Sequence, residues 1–225
     1  MTRTFSLTAA QFDAHWAGLG LGRKPYPLDV PHSRGHAEPP DEQLGSLLRL
    51  LGDHVTAVDV VAELGGPLRG LAASDGRRGV LAVVRAGQVV LTAIRPTGLA
   101  MALLSLLPEV RPGSGNALSA PLDVVRKAAE RSNRASDSGH DVRAALIRSG
   151  MSRDDATLMS ELATGRTAGG QFGVTHRNER ASTVVTWFDT AKGRYLLVSD
   201  GSWLSVAPAD NSRIAARIDT ILAVA

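Results

Sequence analysis

Histidines and glycine-rich stretches are the residues of this chain best suited to chemistry, and their spacing argues against a catalytic or metal site. The sequence has six histidines and no cysteine, so a thiolate ligand and a cysteine nucleophile are excluded. His32 and His36 lie four residues apart, but in a loop that contains proline and glycine. No His-Glu-x-x-His pattern occurs. We therefore expect no catalytic residue, no metal and no cofactor.

Two glycine-rich stretches superficially resemble phosphate-binding loops. The first, from Gly18 to Gly22, follows a predicted helix, whereas a nucleotide fingerprint follows a strand and opens a helix. The second runs from Gly169 to Gly173 with the sequence Gly-Gly-Gln-Phe-Gly. Its glycines could cradle an anion, but we favour the start of a strand that a neighbouring backbone approaches closely. An enzyme that uses this 169–173 loop remains the minor alternative.

Composition indicates a globular chain with a mildly basic character. Of its 225 residues, 44% are hydrophobic and 21% charged, with a formal net charge of +3. This is enough apolar material for a core. No apolar run approaches the roughly 20 residues that a membrane span needs, and the N-terminus lacks the apolar segment of a signal peptide. We therefore expect a cytoplasmic protein.

Hydrophobic periodicity predicts a helix, four strands and a second helix in the N-terminal half. Leucines at helical spacing place the first helix at 41–51. Pro96 stops the last strand, and Thr97 is the predicted N-cap of the helix that follows at 97–107. Tight turns such as Asp75-Gly76 join antiparallel strands, so we predict an antiparallel meander. Its predicted strands are 55–64, 68–74, 79–85 and 88–94.

The same order of elements returns in the C-terminal half. A helix at 152–164 precedes four predicted strands, and Pro208 stops the last of them before a helix at 209–224. We predict a pseudo-two-fold repeat in a single domain, 1–225, with halves 1–110 and 150–225 and a connecting helical insertion at 111–149. The predicted strands are 171–177, 182–189, 194–199 and 203–207. The aromatic residues predicted to form core and cross-strand pairs are Trp187, Phe188, Tyr195 and Trp203.

Short segments spread in order over the chain carry a family resemblance. In the N-terminal part they are Phe-Ser-Leu-Thr at 5–8 and Leu-Gly-Leu-Gly at 19–22, followed by Pro-Tyr-Pro-Leu at 25–28. In the C-terminal part they are Gly-Gly-Gln-Phe-Gly-Val at 169–174, Trp-Phe-Asp-Thr at 187–190, Gly-Arg-Tyr-Leu at 193–196 and Val-Ala-Pro-Ala-Asp at 206–210. Together they resemble the EspG family, which is associated with ESX (type VII) secretion in actinobacteria. The resemblance implies an α+β fold of antiparallel meanders flanked by helical bundles.

The resemblance also implies a function without catalysis. Mycobacterial members of the family are cytosolic chaperones that bind PE–PPE heterodimers and cover the hydrophobic tip of the PPE helical hairpin. We therefore expect a chaperone or adaptor for helical secreted substrates, PE/PPE-like or WXG-like, which is a monomer or weak homodimer and binds neither nucleic acid nor membrane. The alternative is a basic module for nucleic acid or an acidic protein, although the charges between 121 and 153 nearly cancel.

Two regions are predicted to contact the partner. One is the turn between the first two meander strands, which reaches toward the cargo in the family and is short here. The other is the group of helices between 121 and 165. A binder needs an exposed apolar surface, so we expect an aliphatic patch and no buried cluster of ionisable side chains. The residues singled out are Gly65, Gly66, Pro67, Leu68, Arg143 and Arg148.

Overall fold

The chain divides into two compact units. Its structure is a computed structural model that describes residues 3–32, 38–132, 138–199 and 201–224, with no side chain described from 128 to 142. Unit 1 comprises Met1–Pro108, Gly170–Ser182 and Ala215–Ala225, and unit 2 comprises Glu109–Gly169 and Thr183–Ile214. Each unit therefore combines segments that are distant in the sequence.

The order of helices and strands follows the predicted one closely. In the N-terminal part they are β1 (Thr4–Thr8), α1 (Ala9–Gly18), α2 (Glu42–Gly52), β2 (Thr56–Glu63), β3 (Pro67–Ser74), β4 (Gly79–Arg85), β5 (Gln88–Ile94) and α3 (Leu99–Leu104). They continue with β6 (Leu118–Pro121), α4 (Leu122–Ser132), α5 (Ser138–Arg148), α6 (Arg153–Thr164), β7 (Arg166–His176), β8 (Glu179–Arg180), β9 (Val185–Thr190), β10 (Gly193–Ser199), β11 (Trp203–Pro208) and α7 (Asn211–Leu222).

Unit 1 is built on an antiparallel meander. The strands β2 to β5 pair in sequence order, and β1 pairs antiparallel with β5 at the edge. Strand β7 is the neighbour of β2 on the other side. Strands β4 and β5 have the predicted bounds, which confirms the meander and its tight turns. The leucines of α2 and the aromatic pair Phe12 and Trp16 of α1 belong to the core of this unit.

Unit 2 also contains antiparallel strands that pair in sequence order. Strands β9, β10 and β11 pair antiparallel in sequence order, and β7 is the neighbour of β9. Strand β6 pairs antiparallel with β11, as β1 does with β5. Helices α4, α5 and α6 contribute apolar side chains to a core that includes Leu146, Met159 and Leu162. The predicted α+β class with antiparallel meanders is confirmed.

Two predicted helix starts are confirmed by their capping hydrogen bonds. The backbone N–H of Gln11 donates to Thr8 Oγ1 at 3.2 Å, and the backbone N–H of Thr8 donates to Gln11 Oε1 at 2.8 Å, which is a capping box. The backbone N–H of Asp155 donates to Ser152 Oγ at 3.1 Å at the start of α6. Both helices therefore begin where local sequence placed them.

Several predicted boundaries are wrong. Thr97 is not an N-cap, because the backbone N–H of Gly98 bonds to the carbonyl of Arg95 at 3.0 Å and this turn delays α3 until Leu99. The prolines of the segment 25–30 favour extended backbone, but the segment contains a turn. Strand β1 is absent from the predicted strands, although the alternation of its buried residues Phe5 and Leu7 is typical of a strand. Strand β7 begins five residues earlier than predicted, and β8 lies outside the predicted strands.

A buried ion pair joins β9 to β10, and it contradicts the expectation of no buried ionisable cluster. Arg194 and Asp189 face each other in the strand register, and the side chain of Arg194 is 0% exposed. Its Nε donates to Asp189 Oδ1 at 2.7 Å and its Nη2 to Oδ2 at 2.9 Å. Its Nη1 donates to Asn211 Oδ1, and its guanidinium lies 4.6 Å from the centre of the Trp187 ring. These contacts satisfy the buried charge.

Replacing Arg194 by methionine should destabilise the protein strongly, because Asp189 is then left buried without a counter-charge. The expected loss is about 3–5 kcal/mol in the free energy of unfolding, measured by urea denaturation with tryptophan fluorescence. The matched control is the double variant Arg194→Met/Asp189→Leu, which should recover much of that loss. A double variant no more stable than Arg194→Met would contradict the coupling.

The turn between β3 and β4 is held by one carboxylate. Oδ1 of Asp75 accepts from the backbone N–H groups of Arg78 at 2.7 Å and Arg77 at 2.9 Å. Oδ2 accepts from the Arg78 guanidinium at 3.0 and 2.8 Å. The backbone bonds from Arg78 and Arg77, followed by the Arg78 side-chain bond, lower the pKa of Asp75 from 3.8 to about 2. The ionised carboxylate therefore stabilises the turn.

The variant Asp75→Asn should be less stable than the parent chain at neutral pH, by less than about 1 kcal/mol because the site is near solvent. Since folding lowers the pKa of Asp75, this stabilisation is complete above the ordinary value of 3.8 and disappears as the pH falls toward about 2. Urea denaturation over this pH range measures the difference. The same substitution at the exposed Asp219 of α7 is the control, and an equal pH dependence there would contradict the assignment.

Candidate partner-binding surfaces

The turn between β2 and β3 exposes backbone rather than large side chains. Gly65 and Gly66 have φ of +68° and +150°, a region that side chains disfavour. The backbone N–H of Leu64 bonds to the carbonyl of Gly66 at 3.0 Å, and Pro67 pairs with Glu63 across the hairpin. Gly65 and Pro67 are exposed. A partner would therefore meet a compact tip at this point.

Leu68 differs from the three residues before it. Its side chain is only 1% exposed and is part of the buried interior of unit 1. It therefore holds the hairpin in place, and the surface offered by this stretch consists of residues 65 to 67.

Arg143 and Arg148 are both exposed on α5 of unit 2. Arg148 lies in the last turn of the helix, where a cation interacts favourably with the helix dipole. Neither side chain forms an ion pair within the described part of the chain. Both charges are therefore available to solvent or to an acidic partner.

An apolar cavity that no sequence pattern indicated lies in unit 2 beneath the helices. Its volume is about 50 Å³. Helices α4 to α6 supply one wall and strands β9 to β11 supply the other. The side chains that form it include Val125, Leu146, Met159, Leu162, Phe188 and Leu204. Residues from seven elements must pack together to form this space, so no local pattern could have predicted it.

Arg166 is the charged residue at this cavity. It is the first residue of β7, directly after the C-cap Gly165 of α6. Its guanidinium lies 4.6 Å from the centre of the Phe188 ring. Although its side chain reaches solvent, partial burial of the guanidinium lowers the pKa of Arg166 from its ordinary value. No hydrogen bond or ion pair of Arg166 occurs among the described residues.

The glycines between 169 and 173 lie inside strand β7, so the loop that the enzyme alternative requires does not exist. A Cβ atom at Gly170 would lie 2.6 Å from Ala62 Cβ and 2.7 Å from the carbonyl oxygen of Val61. A Cβ at Gly173 would lie 2.0 Å from Nη2 of Arg180. Close packing in unit 1 therefore accounts for these two glycines. The interpretation of a strand that neighbouring groups approach closely is confirmed.

Histidines make isolated contacts in the described structure. His54 Nδ1 lies 2.9 Å from the carbonyl of Leu51, and His176 Nδ1 lies 2.8 Å from Thr56 Oγ1. His32 Nδ1 lies 3.3 Å from the buried Asp13. His36 and the side chain of His140 are outside the described residues. The described residues contain no cluster of three or more side chains suited to a metal ion.

Aromatic residues of the C-terminal meander pack as predicted, with one exception. Phe188 and Tyr195 are opposed in the strand register, and their stacked rings are 5.6 Å apart. Trp187 is fully buried. Trp203 is 50% exposed, so its assignment to the core is wrong. It begins β11 next to the short edge strand β6, where few neighbours cover it.

These features define an α+β protein built on antiparallel meanders, with an exposed hairpin tip in unit 1 and an apolar cavity in unit 2. The chain belongs to the EspG family, which it matches over residues 34–220. Its fold is similar to that of the type VII secretion chaperone EspG5 of Mycobacterium tuberculosis, solved in complex with a PE25–PPE41 dimer. The two share 16% sequence identity and a TM-score of 0.75, over 98% of this chain and 96% of the other. Comparison with curated protein sequences finds no match. The family resemblance is thus confirmed.

None of the helices that the structure describes is long and apolar enough to cross a membrane.

Proposed function

We propose that this protein is a non-catalytic, cytoplasmic chaperone that binds helical substrates of a type VII secretion system. The main support is its fold, which matches the chaperone EspG5 over 98% of this chain, together with its membership of the EspG family. Because EspG5 was solved in complex with a PE25–PPE41 dimer, the proposed substrate is a PE/PPE-like or WXG-like pair of helical proteins. In this proposal residues 1–225 act as one EspG-like domain, in which 1–110 and 150–225 are repeated halves and 111–149 is an insertion.

The physical basis of the proposed capture is the docking of an apolar helical tip on a preformed surface. Residues 65 to 67 form a compact, exposed tip in unit 1. In unit 2, α5 presents exposed arginines that can pair with acidic groups of a substrate. In this proposal, binding covers the apolar tip of the substrate, which lowers its tendency to aggregate before export.

Complex formation tests the proposal directly. The purified chain is mixed with the PE25–PPE41 heterodimer and, separately, with a WXG-type helical dimer, and each mixture is analysed by size-exclusion chromatography with light scattering. We expect a stable complex with one of these helical probes. Binding to neither, together with salt-sensitive binding to duplex DNA, would refute the chaperone and support the basic nucleic-acid module instead.

Reversal of charge on α5 should weaken capture without unfolding the protein. For Arg143→Glu/Arg148→Glu, we expect the dissociation constant for the bound helical probe to rise about two- to tenfold, because exposed interfacial charges contribute modestly. Isothermal titration calorimetry measures it, and the melting temperature should stay unchanged. The matched control is glutamate at the exposed Arg95, which follows β5 at the end of the meander opposite to residues 65–67. An unaltered dissociation constant would exclude α5 from the interface.

A further inference from the structure

We infer that the cavity of unit 2 is an anchor site, which takes the end of one aliphatic side chain from a partner helix while Arg166 binds a carboxylate on the same helix. This inference rests on the proposed function, and it adds the chemistry by which the substrate would be recognised. Four observations support it. They are the size of the cavity, its lining, the two exposed residues that line it, and the lack of an ion pair at Arg166 among the described residues.

The size of the cavity limits the ligand. Its volume of about 50 Å³ is roughly a third of the 150 Å³ that an engineered apolar cavity needs to hold benzene. A ring or a fatty acyl chain is therefore too large, whereas the terminal methyl groups of one leucine or isoleucine fit. Because the inner lining is aliphatic and aromatic, the space stays dry when empty, and an aliphatic group that enters it displaces no bound water.

The surface opening is marked by two exposed residues. Ala163, in the last turn of α6, and Arg166, at the start of β7, line the cavity and are both exposed. Leu146, Met159 and Leu162 lie deeper and are buried. A side chain that enters between Ala163 and Arg166 would thus reach apolar surface within a few bonds of the cation.

Among the described residues, the side chain of Arg166 has no carboxylate or other acceptor. The carboxylate of Glu161 on α6 is bound to Lys192, with 2.6 Å between Oε2 and Nζ. The guanidinium of Arg166 contacts the Phe188 ring instead, and the described residues offer it no ion pair. A partner carboxylate would supply two acceptors in the planar geometry that a guanidinium favours.

One partner helix can present both the aliphatic side chain for the cavity and the carboxylate for Arg166. Residues four apart on a helix lie on the same face, so an aliphatic residue and a glutamate at this spacing present both groups together. The recognised element is therefore an amphipathic helix with an acidic residue one turn from its apolar anchor.

The test uses methionine methyl groups as reporters in the intact chain. Met159 lines the cavity, and the exposed Met101 of α3 in unit 1 serves as the internal control. A short alanine-based helical peptide carrying leucine and glutamate at i and i+4 is titrated into protein labelled with carbon-13 at the methionine methyls. We expect the Met159 signal to shift while that of Met101 does not. A peptide with glutamine for glutamate should bind about five- to tenfold more weakly.

Two variants complete the test. Arg166→Gln should abolish the preference for glutamate over glutamine, and Ala163→Leu should block entry and remove the Met159 shift. Both lie at the surface, so the fold should survive, which the rest of the methyl spectrum verifies. Equal binding of the two peptides to the parent chain, or an unmoved Met159 signal, would overturn the inference.

The peptide test of the anchor site can fail while the test of the chaperone succeeds, and the reverse is also possible. Capture of PE25–PPE41 with no peptide effect at Met159 would leave the chaperone intact and remove the anchor site. A peptide effect that depends on Arg166, without capture of either helical probe, would retain the anchor site and refute the chaperone.

Discussion

Arg194 is the residue on which the structure of unit 2 depends most. Its guanidinium is fully buried, so its charge must be satisfied inside the protein, and Asp189, Asn211 and the Trp187 ring do so. The backbone of Arg194 also forms hydrogen bonds to other segments. Its N–H donates to the carbonyl of Arg111, and its own carbonyl accepts from the N–H groups of Gly113 and Ala209. One residue thus ties the linker at 111–113, the strand pair β9–β10 and the start of α7.

This network also determines what the opposite face of β9 presents. Successive side chains of a strand point to opposite faces, so holding Trp187 and Asp189 on one face directs Phe188 to the other. There Phe188 stacks on Tyr195 and contributes to the apolar cavity. The hydroxyl of Tyr195 donates to the carbonyl of Ser114 at 2.9 Å, which fixes the stack further. The lining of the cavity therefore depends on the buried ion pair of unit 2, since a shift in register would exchange the two faces.

Local signals were sufficient for much of the fold and insufficient for the site. The α2 leucine repeat, the caps at Thr8 and Ser152 and the bounds of β4 and β5 follow from short-range spacing. Strand β1 was missed because it depends on pairing with β5, more than eighty residues away in the chain. The early start of β7 was missed because its glycines lower strand propensity. The cavity and the free face of Arg166 arise where elements distant in sequence pack, which periodicity does not encode.

The glycine turn between β2 and β3 has a consequence for how proteins of this type diverge. Its ends are held in antiparallel register by the rest of the hairpin, and each doubling of a loop's length costs only about 0.6 kcal/mol in closure entropy. Insertions at this point would lengthen the reach of the tip without disturbing the sheet beneath it. The length of this tip can therefore change by indels alone, independently of the selection that maintains folding.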